Sequence, residues 1–335
     1  MPSVPSLTAN SFEQFDIRLD PWAVEYGAET PTEFAAGDEP VDIDVAVERA
    51  GQDWAPVHPR ETVDRPELAI VDGVRRMEAR LVVSKGERTV HGALGAYGVG
   101  VVLCRDGHAR FGEQEHGRRI IFGGGETPPA PVSLSPGLTY LPQSVADDDP
   151  DAPLRGLHSA MRVAEELLAR RLAADERLLV IADGPLNFGD NTAGRVVGFV
   201  KRLFKLYLPP VHLGTLRALT CGTRTPVFLI RSAGRFSRYS WFARLANRLP
   251  VESDFTGLVR LELSEALGLE EAVRLADLTT ALLPRFVPSR SRDPRAPQNL
   301  VPIGALEHHL RHGLGDARLI HRRLATLLAR ELTHV

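Results

Sequence analysis

Two stretches of the chain share one pattern. Leu68-Ala69-Ile70-Val71 is an unbroken apolar run closed by Asp72-Gly73, and Leu178-Leu179-Val180-Ile181-Ala182 is closed by Asp183-Gly184. Continuous leucine and β-branched runs predict strands buried on both faces. After Asp72 the first run leads through Arg76–Val83 to a polar turn at 84–87, a Gly/Ala/Val-rich strand over 90–103, a turn at Asp106-Gly107 and a strand at His108–Phe111. That is an antiparallel meander with Asp72 on its first strand. Gly123-Gly124-Gly125 reads as a flexible turn, and the Pro- and Asp-rich residues 126–153 as a surface connection.

Helical spacing is clearest at Leu154, Leu157, Met161, Ala164, Leu167, Leu168 and Leu172, with Arg162, Glu165, Glu166 and Arg170 on the other faces. Downstream, strands are predicted over 196–202, 224–231 and 257–263, and helices over 239–248 and 270–283. A Pro/Arg-rich bridge at 284–297 leads to two closing helices, 299–313 and 316–333. Upstream, residues 1–66 hold no sustained period. Short helices are predicted at Phe12–Phe15 and Val41–Ala50, and the region reads as an acidic arm beside a main domain of residues 67–333.

Composition narrows the class without naming a function. The 335 residues are 43% hydrophobic and 25% charged, ordinary for a globular protein with a sizeable core. With no bilayer-length apolar run and no signal-like N-terminus, the expected location is cytoplasmic. Two cysteines, Cys104 and Cys221, form neither a disulfide framework nor a CxxC pair. Residues 1–66 carry 14 acids against four arginines, whereas residues 285–330 carry nine arginines against three acids. A basic end on a chain of net charge −3 predicts an anionic partner meeting one face.

An Asp at the carboxyl end of a buried strand emerges where open α/β sheets bind ligands. Two such strands side by side would pair Asp72 with Asp183 and suit a hard divalent cation. Either Asp-Gly alone is equally an ordinary turn pair. Glu165 and Glu166 project about 100° apart on the intervening helix, so one of them faces the two aspartates.

The order of these elements is that of the ribonuclease H-like (PIWI-like) fold: a mixed sheet flanked by helices, here with an N-terminal arm and C-terminal helices. The chain also resembles the NurA family of DNA-end-processing nucleases, through Ile70-Val71-Asp72-Gly73-Val74-Arg75-Arg76, Ala160–Glu165 and Ile181-Ala182-Asp183-Gly184-Pro185-Leu186. Further matches are Val197–Arg202, Leu283-Pro284-Arg285 and Arg295–Ile303. The set spans about residues 66–320 in order; the acidic arm and residues 126–153 have no counterpart.

The resemblance implies a nuclease with 5′–3′ exonuclease and some endonuclease activity, working by a two-metal mechanism in DNA end resection and double-strand-break repair. It implies Mn²⁺ as cofactor with Mg²⁺ the alternative, a homodimer, a HerA-like hexameric ATPase partner, DNA ends as substrate and a nucleoid-associated place in the cytoplasm. Carried over residue by residue, it makes Asp72, Glu165 (rival Glu166), Asp183 and Glu307 (rival His308) the metal ligands. Lys201 would contact the scissile phosphate, and Arg75, Arg76, Arg285, Arg292 and Arg295 would hold the DNA backbone.

Two other readings start from the same residues. His308 and His312 stand four apart on a helix that also carries Glu307 and His309, a spacing that suits a zinc hydrolase although the HExxH order is absent. Alternatively, a ribonuclease H-like domain without catalysis binds nucleic acid or an ATPase.

Overall fold

Strands buried on both faces belong at the centre of a sheet with a helical layer on each side, and the computed structural model has that form. It describes residues 15–19, 41–60, 66–186, 194–203, 205–232 and 236–332. The strands are β1 (Asp16–Leu19), β2 (Val41–Asp44), β3 (Glu67–Lys85), β4 (Arg88–Arg105), β5 (His108–Phe122) and β6 (Val132–Ser135). They continue as β7 (Leu138–Ser144), β8 (Leu178–Asp183), β9 (Val196–Val200), β10 (Phe228–Ser232), β11 (Arg238–Arg244) and β12 (Leu258–Ser264). The helices are α1 (Ala152–Ala173), α2 (Leu213–Ala218), α3 (Leu269–Leu282), α4 (Val301–Gly313) and α5 (Ala317–Leu332).

Spatially the strands run β2-β10-β11-β12-β9-β8-β3-β4-β5-β7-β6, with β1 added beside β3. β3, β4 and β5 form the expected antiparallel meander, α1 crosses back, and β8 lies parallel to β3. This is the ribonuclease H-like order. Leu68, Ile70 and Val74 face one core, with Leu275 of α3 and Leu306 and Leu310 of α4. Ala69 and Val71 face the other, with Leu157, Met161 and Leu168 of α1. Each fully buried side chain of this size stabilises the fold by roughly 1.5–3 kcal/mol. α1 lies close to the sheet because Gly95 leaves it space: a Cβ there would stand 2.4 Å from Cδ2 of Leu157.

β3 outruns its neighbour. β4 covers one edge almost throughout, whereas β8 pairs the other only from Glu67 to Val71, and β1 takes it up again from Leu81 to Ser84. Among the described residues, the β3 edge between has no strand beside it. Asp72 is the first residue in that gap.

Several elements differ from the sequence reading. Residues 239–248 are not a helix but largely β11, buried along its whole length. Tyr239, Trp241 and Ala243 face the α3 core while Arg238, Ser240, Phe242 and Arg244 face the other side, so burial on both faces hides the two-residue period. Val41–Ala50 is likewise not a helix: β2 pairs β10 at the sheet edge, and a turn follows. Residues 126–153 are more than a connection, since β6 and β7 extend the sheet beyond β5. Strands of four and seven residues, the second with Pro142 inside it, carry too few positions for a period to show. Of the helix expected at Phe12–Phe15, Phe12–Gln14 lie outside the described residues, and Phe15 is not helical.

A buried ion triad fastens the β2 end of the molecule. Arg224, 1% exposed, donates to Asp277 of α3 at 2.7 Å and to both Glu48 oxygens at 2.8 and 2.9 Å. Removing one member of a buried ion group strands the charges left behind. Arg224→Met should therefore lower unfolding free energy by about 3–5 kcal/mol, measured by urea denaturation.

Candidate metal centre

Register brings the two Asp-Gly stretches together. Val71 lies opposite Ala182, so one step on Asp72 meets Asp183 at the exit of β8. The two glycines do different work. Gly184 turns the chain at φ 93°, where an L side chain is strained. Gly73 lies within β3, not in a turn, and opens space: a Cβ would stand 2.4 Å from Oε1 of Glu165.

Glu307 arrives from α4. Ligand oxygens of Asp72, Asp183 and Glu307 lie within 4.8 Å of one another, the one such group of three or more metal-capable side chains among the described residues. Oδ2 of Asp72 and Oδ1 of Asp183 are buried and have no hydrogen-bond partner. An unmet buried oxygen costs about 1–3 kcal/mol. Burial, then the charge of Asp183 and the smaller effects of Glu165 and Glu307, push the Asp72 carboxyl well above the usual range against the pull of Lys201. Converging carboxylate oxygens with unmet capacity suit a hard oxygen-seeking cation such as Mg²⁺ or Mn²⁺.

Glu165 is buried over Gly73. Burial raises its pKa, opposed by Arg162, which donates to Glu165 Oε2 at 2.6 Å. Arg162 also donates to the carbonyls of Asp183 (2.7 Å) and Pro185 (2.6 Å), tying α1 to the β8 exit. From the other side, buried Glu262 accepts from the Leu186 amide at 3.2 Å. Burial works against the Glu262 charge, but Arg260 and Arg238 outweigh it and hold its pKa below the ordinary value.

Lys201 follows β9, and its Nζ donates to Asp183 Oδ2 at 2.6 Å and to Asn299 Oδ1 at 3.2 Å. Burial works against its charge, yet Asp183 and Asp72 raise its pKa. A chain of contacts continues from Asn299 to Asp293 (2.8 Å), from Asp293 to Arg295 (3.2 Å) and from Arg295 to Glu307 Oε1 (2.6 Å). It links Asp183 to Glu307 entirely through side chains.

Of the residues named from sequence, Asp72, Asp183, Glu307, Lys201 and Glu165 gather here. Glu166 points outward to Arg170. His308 and His312 are exposed, and His309 stacks on Phe111 with ring centroids 4.1 Å apart. Because His308 and His312 find no third ligand among the described residues, the zinc-hydrolase spacing does not form a site.

Arg75 stands near Glu165, its pKa lowered chiefly by burial. Arg285 and Arg292 are exposed. Two arginines expected on the DNA backbone also make contacts within the protein. Arg76 donates to Glu78 and to the carbonyls of Leu314 and Gly315, closing the end of α4, and Arg295 holds Asp293 and Glu307. Arg162, Glu262, Asp293 and Asn299 escaped sequence reading as site residues. Arg162, one turn before Glu165, and Asn299, inside the Arg295–Ile303 stretch, carried a local signal.

No protein-family model matches the chain, and no curated protein is similar to it in sequence. Among solved structures, the NurA nuclease from Sulfolobus solfataricus aligns over 84% of this chain and 88% of that one, at 11% identity and a TM-score of 0.47. The catalytic domain of human endonuclease V aligns over 77% and 90%, at 16% identity and a TM-score of 0.34. Both are nucleases, and the first belongs to the family that the sequence motifs resemble. Likeness at this level assigns no side chain its role.

Two predictions come from this geometry. Gly73→Ala should displace the Glu165 carboxylate while leaving the fold intact, weakening Mn²⁺ binding about tenfold or more by titration calorimetry with little change in Tm. Asp72 carries a raised pKa, so the folded state binds a proton that the unfolded state has already lost. Metal-free stability should therefore fall as pH rises from the ordinary carboxylate range through the elevated Asp72 pKa. Asp72→Asn should flatten that slope and raise the Tm in EDTA, while abolishing the gain in Tm that Mn²⁺ gives the unaltered protein.

Proposed function

We propose that the chain is a divalent-metal-dependent nuclease that hydrolyses phosphodiester bonds in DNA. The observation that carries this reading is the convergence of Asp72, Asp183 and Glu307, with unmet buried oxygens, at an unpaired stretch of strand edge beside buried Glu165 and Lys201. Asp72, Asp183, Glu307 and Glu165 would hold the cations, Mn²⁺ or Mg²⁺. Bound there, the cations would neutralise charge at the scissile phosphate and supply a water of lowered pKa, the chemistry of two-metal phosphodiester hydrolysis.

The chain's own groups do the rest. Lys201 balances the carboxylates and places an ammonium where a phosphate oxygen would approach. Arg162 and Glu262 fix the β8 exit, so that Asp183 is held before substrate arrives. Arg295 orients Glu307 through Oε1, and Arg311 stands 3.5 Å from Oε2. Arg75, Arg285 and Arg292 remain as contacts to the strand backbone.

The ordered sequence motifs support a finer form of the proposal: an exonuclease with 5′–3′ polarity and some endonuclease activity, acting in end resection during double-strand-break repair. In that form it works as a homodimer with a HerA-like hexameric ATPase, near the nucleoid.

Purified protein with Mn²⁺ should shorten end-labelled linear DNA. Asp72→Asn and Asp183→Asn should each reduce the rate at least about a hundredfold while DNA affinity persists. DNA binding with no cleavage under any divalent cation, alone or with the ATPase, would replace this reading with that of a non-catalytic binding module.

A further inference from the structure

A second site, cationic where the first is acidic, lies at the same end of the sheet as the carboxylates. β9 runs parallel to β8, β12 antiparallel to β9, and β11 antiparallel to β12. The β8 exit at Asp183, the β12 start at Leu258 and the β11 exit at Arg244 therefore share one end. β11 lies three strands from β8, about 15 Å across the sheet, the axial rise of some four to five nucleotides of a duplex; Arg244 projects on the α2 side of the sheet and the two aspartates on the α4 side, so a strand reaching both crosses the end of the sheet.

There a cavity of about 570 Å³ is lined by Arg217, Leu219, Arg244, Asn247, Arg248 and Pro250. Arg244 is 2% exposed, and its guanidinium NH groups donate to the carbonyls of Thr256, Leu216 and Asp254 at 2.6, 3.1 and 2.9 Å. Those carbonyls are dipoles, not counter-charges. Among the described residues Arg244 has no ion pair, and its Nε has no hydrogen-bond partner. Arg217 and Arg248 share the single carboxylate of Asp254, each at 3.4 Å.

Among the described residues three guanidinium groups thus share one carboxylate around a cavity; Arg217 and Arg248 reach solvent, and Arg244 is the buried cation without an ion pair. Burying an unmatched cation is unfavourable, and an anion entering the cavity would relieve that cost. Arg244 is a fixed charge in the wall. Arg217 and Arg248, on α2 and after β11, are exposed and free to turn from Asp254 toward an incoming oxyanion. Burial, then the neighbouring Arg248, lower the Arg244 pKa, and the charge of Asp254 only partly opposes them.

We infer that this cavity is a phosphate-binding subsite, taking a backbone phosphate of a nucleic-acid strand that also reaches the carboxylate centre. The presence of a phosphate site stands on the arginine geometry; its assignment to a strand rests on the nuclease reading. The test uses the full chain in EDTA, so that the strand stays uncut. Binding of a fluorescein-labelled oligothymidylate is followed by anisotropy, and binding of inorganic phosphate alone by calorimetry. The variant is Arg217→Gln/Arg248→Gln, with Arg105→Gln/Arg110→Gln as a charge-matched control at the opposite end of the sheet.

The expected result is a loss of strand affinity of about tenfold in the first variant and little loss in the control. The slope of log K against log salt should flatten by about 0.7 for each phosphate that the variant no longer neutralises. Equal losses in both variants, or none in either, would overturn the subsite. Loss of inorganic phosphate binding with strand binding intact would overturn its assignment to a strand. Cleavage is a separate readout: wild-type cleavage with unaltered strand binding by Arg217→Gln/Arg248→Gln would sink the subsite and leave the nuclease reading. Strand binding that depends on Arg217 and Arg248, from a protein that never cleaves, would do the reverse.

Discussion

Three carboxylates with oxygens inside a 4.8 Å span repel one another, and much of the structure around them exists to hold that repulsion in place. Left in water, such groups would swing apart. Here each is anchored from a different element: Asp72 within β3, Asp183 at the β8 exit and Glu307 on α4. Lys201 is the internal counter-charge, and the path from it through Asn299, Asp293 and Arg295 to Glu307 ties the opposing acids into one hydrogen-bonded frame. A continuous side-chain path in a low-dielectric setting is rigid, and here it leaves unmet only the oxygens that point into the site.

The gap in the β3 edge explains how such a frame finds room. A sheet edge is normally a liability, with unpaired amides ready to join another chain. Between the pairing of β8 and that of β1, the edge is occupied by side-chain chemistry instead: Asp72 at its start and, further along, Arg76, which binds both the end of α4 and Glu78. The β3–β4 register shifts between Met77 and Ala79, which places Glu78 at a bulge. There Glu78 also accepts from Tyr140 of β7. The same strand thus serves the metal centre at one position and the anchoring of the C-terminal helices a few residues later.

How much of this could be read from the sequence follows from the range of the forces involved. β3, β8 and α1 were legible because continuous apolar runs and helical spacing are local signals, and Asp72 and Asp183 were legible because each closes such a run. Glu165 against Glu166, and Glu307 against His308, were not decidable, since neighbours on a helix differ only in direction. Burial separates both pairs. β11 was not legible because it is buried on both faces, and the partners of Arg238 and Arg244, Glu262 and the carbonyls of Leu216, Asp254 and Thr256, lie up to 28 positions away. Arg76 and Arg295 looked available for phosphate for the same reason: their partners are set by the tertiary fold.

Placing Glu307 so late in the chain has a consequence for the order in which the protein is made. Synthesis runs from the N-terminus, and folding begins on the emerging chain. When Asp72, Glu165, Asp183 and Lys201 have all emerged, the third converging carboxylate is still missing, and so are Asp293, Arg295 and Asn299, which aim it. The metal-binding set is completed only when α4 docks on β3 and β4. A half-made chain carries two of the three acids and lacks the side chains that orient the last, so the set of converging carboxylates is a property of the finished fold alone.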